Sequence, residues 1–358
     1  MDIDSRVERA LERGGRTVRP DVPAALLDVR RRARRRTTRR RTAMVGAVVG
    51  VALVAGVLAR IAAPGSDASP SPVGPPRETG TPGSVSLTLV REVSADSLGL
   101  RKLLSAAVGP DGRVYVTDTS QRVAELSPDL EVVRTWGESG EGPGRFRFVQ
   151  GSLTVGPDGS VYVADTGNFR VQVFTPDGRF VRSIGEFGNG PGQFTWPFDV
   201  AVDADGDLYV ADDKEQTLAK LSPSGRQLWR RGGLTEADER LQGHQHFSMV
   251  DAEQRLVTSN DDRGLVMLLG ADGSVVHTLT PGALGDDGVC DATVDAAGHY
   301  FLTSCSGRSG VQVYDADGAL LGDWEGPGLV QSPRWSTDGR GYAVASDGGV
   351  VEVQVASD

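Results

Sequence analysis

Two histidines separated by one residue, His244-Gln-His246, are the densest concentration of proton-transferring or metal-ligating groups in the sequence. The chain of 358 residues holds only four histidines, so any imidazole chemistry has to start from this pair. Three other short segments occupy comparable points of an internal repeat: Trp196-Pro-Phe198, Cys290-Asp291 and Arg334-Trp335, with Gly151-Ser152 at a fourth. Trp196, His244, His246, Asp291, Arg334 and Trp335 are therefore the candidate ligand-binding residues, combining flat apolar faces with an acid, a cation and two imidazoles. None of the companion segments brings another histidine, and His277 and His299 fall near hairpins elsewhere. Without convergent imidazoles no metal, cofactor or catalytic residue is assigned, and loop histidines in solvent are the plainer account of the pair.

Carboxylates are abundant, and three recur in register. Asp118, Asp165 and Asp212 each close an apolar run and are followed by turn residues such as Thr166-Gly167-Asn168. A carboxylate in that place accepts backbone N–H groups of the turn or pairs with Arg122 or Arg170, so turn capping is the expected role. The functional alternative, a ring of acids holding a cation or a basic peptide, has to contend with Asn260, Ser304 and Ala345 at the later equivalents. The stretches Gly137–Gly144 and Gly185–Gly192 lack the helix pattern and Lys-Ser/Thr of a phosphate loop, and Phe146 and Phe194 after them are expected to wedge between repeats.

These residues are carried by a unit written six times after Ser86, most legibly from Gly156 to Gly185. Its marker, the aromatic or apolar residue of the second short strand, falls at Tyr115, Tyr162, Tyr209, Val257, Phe301 and Tyr342, in steps of 47, 47, 48, 44 and 41 residues. Strand patterns such as Arg170–Phe174, with Pro-Asp-Gly turns between them, predict four short strands per unit. Repeats of this length made only of strands and turns predict an all-β, six-bladed β-propeller over residues 85–358. The last unit lacks its fourth strand, and Leu89–Val93, which matches Phe180–Ile184, is expected to supply it and close the ring.

The run Tyr162–Phe174, followed by Gly185–Phe194 and Pro197–Asp203, closely resembles the NHL-repeat propellers, and the resemblance extends over most of residues 86–358. It is strong in blade 2, clear in blades 1 and 3, and degenerate in blades 4 to 6. It implies the propeller fold and a family that includes binding modules, sensor domains and a few lyases, so it does not choose a function. NHL-type lyases hold a metal with histidines from several blades, and gluconolactonase-like propellers hold calcium with carboxylates and asparagine. No matching set stands out in this sequence.

The region before the propeller reads differently. Residues 1–41 form a basic tail with fourteen arginines against six acidic residues, nine of the arginines lying within Arg30–Arg41. Residues 42–63 read as a transmembrane helix, since 43–59 are uncharged and Arg60 stands near an end from which it can snorkel. A Pro-, Ser- and Gly-rich linker covers 64–84. The positive-inside rule leaves the tail in the cytoplasm and carries the propeller outside; a cleaved signal peptide is the competing reading. The expected partners of the helix and arginine run are membrane lipids, and Ile3, Val7 and Leu11 leave room for a short docking segment for a cytoplasmic partner.

Beyond residue 41 the chain carries twenty-four basic against forty-two acidic residues, which argues against nucleic acid as a ligand. The two cysteines, Cys290 and Cys305, would stand opposite one another if Ala297-Gly298 made a two-residue hairpin, and an oxidising location would join them. Two buried thiols are the alternative, and a zinc pair lacks further ligands. The resulting expectation is a membrane-anchored, extracytoplasmic binding, scaffold or sensor module for a protein, peptide or glycan. The alternative is an extracytoplasmic propeller enzyme, a metal-dependent lyase or lactonase.

Overall fold

Short strands with apolar residues on both faces cannot bury themselves in one sheet, and this chain stacks six four-stranded antiparallel sheets so that each face meets a neighbour. The computed structural model describes residues 85–357 apart from 150–151, 234–235, 281–288, 305–309, 325–328 and 330. Strands a to d of blade 1 are Leu103–Val108, Val114–Asp118, Arg122–Leu126 and Val132–Trp136. Blade 2 comprises Leu153–Val155, Val161–Asp165, Arg170–Phe174 and Phe180–Ile184. Blade 3 comprises Pro197–Val202, Leu208–Asp212, Thr217–Leu221 and Gln227–Gly232. Gln245–Val250, Leu256–Asn260, Leu265–Leu269 and Val275–Leu279 make blade 4, and Val289–Val294, Tyr300–Ser304, Val311–Tyr314 and Leu320–Trp324 make blade 5.

Blade 6 takes Arg334–Trp335, Arg340–Val344 and Val350–Ser357 from one end of the propeller sequence and Val85–Val93 from the other. The closing ladder runs from Val85↔Ser357 to Val93↔Val350, with one irregularity between Leu89 and Arg91. The expected closure by an N-terminal strand is therefore observed. Strand b is buried throughout in blades 1 to 4, and the marker residues Tyr115, Tyr209, Phe301 and Tyr342 lie among the largest fully buried side chains. Strand d faces outward and carries exposed apolar residues such as Val133, Val181 and Val276.

Phe146 and Phe194 are fully buried in the blade-to-blade connections. The glycines opposite them are forced by contact as well as conformation: Gly137 and Gly185 sit at φ 92 and 94°, and a Cβ on either would come within 2.5 Å of the ring.

Two expectations need correction or lie out of view. The turn between strands a and b of blade 5 is not a two-residue hairpin on Ala297-Gly298. Gly298 N donates to Asp295 O, Asp295 N to His299 O, and Gly298 takes φ 87°, so three residues form the loop with a left-handed glycine last. Asp291 consequently pairs with Thr303, and a bulge between Val289 and Asp291 takes Cys290 out of the register that the two-residue hairpin required. Cys305 and the segment 42–63 lie outside the described residues. Among the described residues no helix is long and apolar enough to cross a membrane.

Two stability tests follow from the ring. Phe194→Ala empties a closed site and is expected to cost about 3–5 kcal/mol in urea unfolding. A propeller beginning at Ser94 lacks the closing strand and is expected to aggregate or melt well below one beginning at Ser84; equal melting temperatures and a monomeric state would contradict the closure.

Candidate functional site

The a strands of successive blades touch one another and form the inner wall of the ring. Their polar side chains stitch the wall together. Leu153 N donates to Ser105 Oγ at 3.4 Å and Val200 N to Ser152 Oγ at 2.9 Å. Ser332 N donates to Asp291 Oδ2 at 2.8 Å, and the Gln331 amide bonds both Ala106 N and Ala106 O at 3.1 Å. Between blades 3 and 4 the same role passes to an ionisable pair, Asp199 Oδ2 and His246 Nδ1, 3.0 Å apart.

Register explains why a histidine stands there. Ser105, Asp199, His246 and Asp291 each pair with the residue two beyond the marker, namely Thr117, Ala211, Ser259 and Thr303. In blade 4 the strand irregularity lies between Phe247 and Met249, later than in blades 1, 3 and 5, and this brings His246 to the position of Asp199.

His246 is held between blades: Asp199 binds Nδ1, and Asp261 Oδ2 of the turn after strand b lies 3.9 Å from Nε2. His244 is held likewise, with Asp262 Oδ2 at 3.1 Å from Nδ1, Asp213 Oδ1 at 3.9 Å from Nε2, and the Gln216 amide at 3.4 Å. Burial by itself would lower the His246 pKa. The Asp199 hydrogen bond and the charges of Asp199, Asp261 and Asp213 outweigh it and push the imidazole up to about 9. The hydrogen bond from Asp262 raises that of His244. Burial in turn pushes the Asp213 and Asp261 carboxyls above the usual carboxylate range, against the pull of the histidines. The arrangement is thus an acidic pocket whose counter-charges, among the described residues, are imidazoles.

Aromatic rings border it. Phe148 packs edge-on against Trp196 at 5.4 Å, and Phe198 against the His246 ring at 5.6 Å. On the far side of the wall, Arg334 Nη1 meets Asp291 Oδ2 at 3.0 Å and Ser332 O at 2.9 Å. Trp335 stacks on Phe301 at 4.6 Å with its indole N–H buried and unpartnered among the described residues. The structure thus places Trp196, His244 and His246 together, and Asp291, Arg334 and Trp335 in a second group. His277 and His299 stand apart, bonded to Ala316 O and to Asp295.

The three strand-end acids are saturated with local donors. Asp118 accepts from Ser120 N and the Arg122 guanidinium, Asp165 from Arg147 N and Arg170 Nε, and Asp212 from Thr195 N and Trp196 N. Asn260, their equivalent in blade 4, instead donates Nδ2 to Arg240 O at 2.9 Å and Gln242 O at 2.8 Å. The site residues that sequence reasoning missed are one step further on: Asp213 and Asp261 each follow a strand-end residue, and Asp262 follows Asp261. That adjacent pair in blade 4, beside a His-x-His, was the available signal. One nitrogen or oxygen atom from each of His244, Asp261 and Asp262 lies within 4.8 Å of the others, close enough to hold a metal ion.

A domain-family model described as a 6-bladed beta-propeller (DUF5128) matches residues 145–225. Residues 85–357 form a six-bladed β-propeller. No curated protein matches it in sequence. A streptogramin B lyase structure is 11% identical with a TM-score of 0.54, covering 76% of this chain and 98% of that one. An inactive virginiamycin B lyase from Staphylococcus aureus with quinupristin is 10% identical with a TM-score of 0.53, covering 75% and 99%. The propeller domain of Myceliophteria thermophila Cps50 (Swd1) is 10% identical with a TM-score of 0.54, covering 76% and 100%. At such identities the likeness shows the fold alone.

The Asp199–His246 pair makes stability depend on pH. Because the folded pKa of about 9 lies above the ordinary 6.5, the contribution is complete below pH 6.5 and is lost as pH rises through about 9. The urea midpoint of Asp199→Asn is expected to fall short of the wild type at pH 6 and to approach it by pH 10. A deficit of the same size at both pH values would contradict the charged pair.

Proposed function

We propose that this chain is a single-pass membrane protein whose propeller, of NHL kind, stands outside the cell and binds a peptide or protein segment through basic side chains. The observation that carries the ligand class is the state of Asp213 and Asp261. Both are partly buried where blades 3 and 4 meet, and each meets only an imidazole, at 3.9 Å, as ion-pair partner among the described residues. A lysine or arginine entering there gains two poorly neutralised carboxylates and the faces of Trp196 and Phe148, a combination suited to cations. The acidic balance beyond residue 41 favours the same sign of ligand. The anchor rests on the uncharged run at 43–59 next to the arginine cluster.

An enzymatic reading, a metal-dependent lyase or lactonase, is favoured by the proximity of His244, Asp261 and Asp262. The two readings separate on immobilised peptides that differ only in lysine and arginine content. Retention is expected to rise with basic content and to drop about tenfold in Trp196→Ala and Asp213→Asn, as loss of a good charge or cation–π contact implies. Retention indifferent to peptide charge would sink the binding reading.

Topology is tested on intact cells. Added protease is expected to shed the propeller by cutting between Pro64 and Ser84, and protection until lysis would overturn the external location.

We further propose a Cys290–Cys305 disulfide. It is supported by the absence of a free cysteine among the described residues, in a chain with one cysteine besides Cys290. The intact mass is expected to lack both thiol hydrogens, and two titratable thiols in protein taken from its membrane would refute the pairing.

A further inference from the structure

We infer that His244, Asp261 and Asp262 form a site for one divalent cation of the first transition row, backed by the buried amide oxygen of Asn260. The inference concerns the same mouth as the peptide reading but does not depend on it. The site is built within blade 4, from the turn after strand b and the segment leading into strand a, and not from histidines gathered around the axis.

The first support is geometric: an imidazole nitrogen and one oxygen from each of two carboxylates lie mutually within 4.8 Å. A second support comes from beneath them. Asn260 is wholly buried, and its Nδ2 is used by Arg240 O and Gln242 O, yet its Oδ1 has no hydrogen-bond partner among the described residues. A buried carbonyl oxygen left unbonded is costly, and a ligand or ion is one way to satisfy it. That oxygen lies beside the Asp262 carboxylate. A Cβ built on Gly243 would lie 3.1 Å from Asn260 Oδ1 and 2.9 Å from Asp262 Oδ2, so the two oxygens border the same space. Gly243 holds φ 111°, a conformation that favours glycine and keeps a side chain out of that space.

Two further oxygens share the condition. Gln245, the cross-strand partner of Asn260, is buried with Oε1 unpartnered, and Asp261 Oδ1 is buried and unpartnered as well. Both amides thus spend their nitrogens on the backbone of residues 240–243, leaving their oxygens without hydrogen donors. A cation satisfies oxygen atoms that have no donor.

The donor set selects the ion class. Magnesium and calcium prefer all-oxygen shells, whereas imidazole with carboxylate and amide oxygens suits manganese through zinc. His244 Nδ1 and Asp262 Oδ2 already lie 3.1 Å apart, so a cation there takes over an existing contact.

The test uses the full chain in detergent and manganese chloride alone, followed by electron paramagnetic resonance. One tightly bound Mn²⁺ per chain is expected, with coupling to a single imidazole nitrogen. His244→Gln is expected to abolish the coupling, and Asp261→Asn and Asp262→Asn to weaken binding at least about tenfold. Each variant's melting temperature is taken without metal, and a variant that does not fold is replaced by His244→Ala or by the Ala form of the acid. Binding weaker than millimolar, affinity unchanged in all variants, or bound manganese without nitrogen coupling would each overturn the site. Loss of metal binding with charge-dependent peptide retention intact removes this inference alone. The converse result removes only the peptide reading.

Discussion

The ladder between Val85–Val93 and Val350–Ser357 is the contact on which every other interface depends. Each blade buries its faces against two neighbours, so an open ring would expose apolar strands at two blade faces at once. With the ladder formed, Leu87 of the closing strand joins Phe301, Val313, Val351 and Val353 in one core cluster between blades 5 and 6. On the other side of blade 6, Tyr342 and Val344 pack with Val114, Val116 and Leu126 of blade 1. The covalent order of the chain therefore runs through the ring and is locked by hydrogen bonds between its two ends.

The inner wall uses a different economy. Its strands are short, and beside their apolar contacts the blades are joined there by backbone N–H groups that donate to Ser105, Ser152 and Asp291 and by the paired bonds of the Gln331 amide to Ala106. Among the described residues ion pairs join the wall both between blades 3 and 4, Asp199 with His246, and between blades 5 and 6, Asp291 with Arg334; at the first of these the turns after strand b add Asp213, Asp261 and Asp262. Structural linkage and the candidate site coincide where blades 3 and 4 meet. This is why His246 is at once a wall residue and a neighbour of the acidic mouth.

Much of the architecture was legible in the sequence because it depends on local, repeated causes. Turn chemistry set strands such as Arg170–Phe174, and the match of Leu89–Val93 to Phe180–Ile184 located the closing strand, which starts four residues earlier, at Val85. The blade 5 hairpin was misread because Ala297-Gly298 resembles a two-residue turn, whereas a left-handed glycine in third place makes a longer loop. Half of the candidate site was visible as His244-x-His246 facing Trp196. The acids were not, because Asp213 meets His244, and Asp199 meets His246, only through the packing of one blade on the next. The shifted irregularity in blade 4 is likewise a property of pairing that residue types alone do not announce.

The strand order of blade 6 also has a temporal meaning. Val85–Val93 leaves the ribosome before any blade exists, and its partner Val350–Ser357 emerges after the other five are made. Blades 1 to 5 contain only strands that are near neighbours in the chain and can form as they are synthesised. The first strand has to wait with its hydrogen-bonding edge unsatisfied until the last arrives. Ring closure is thus a late, high-contact-order event, and the interval before it is when the nascent chain is most exposed to pairing with the wrong edge.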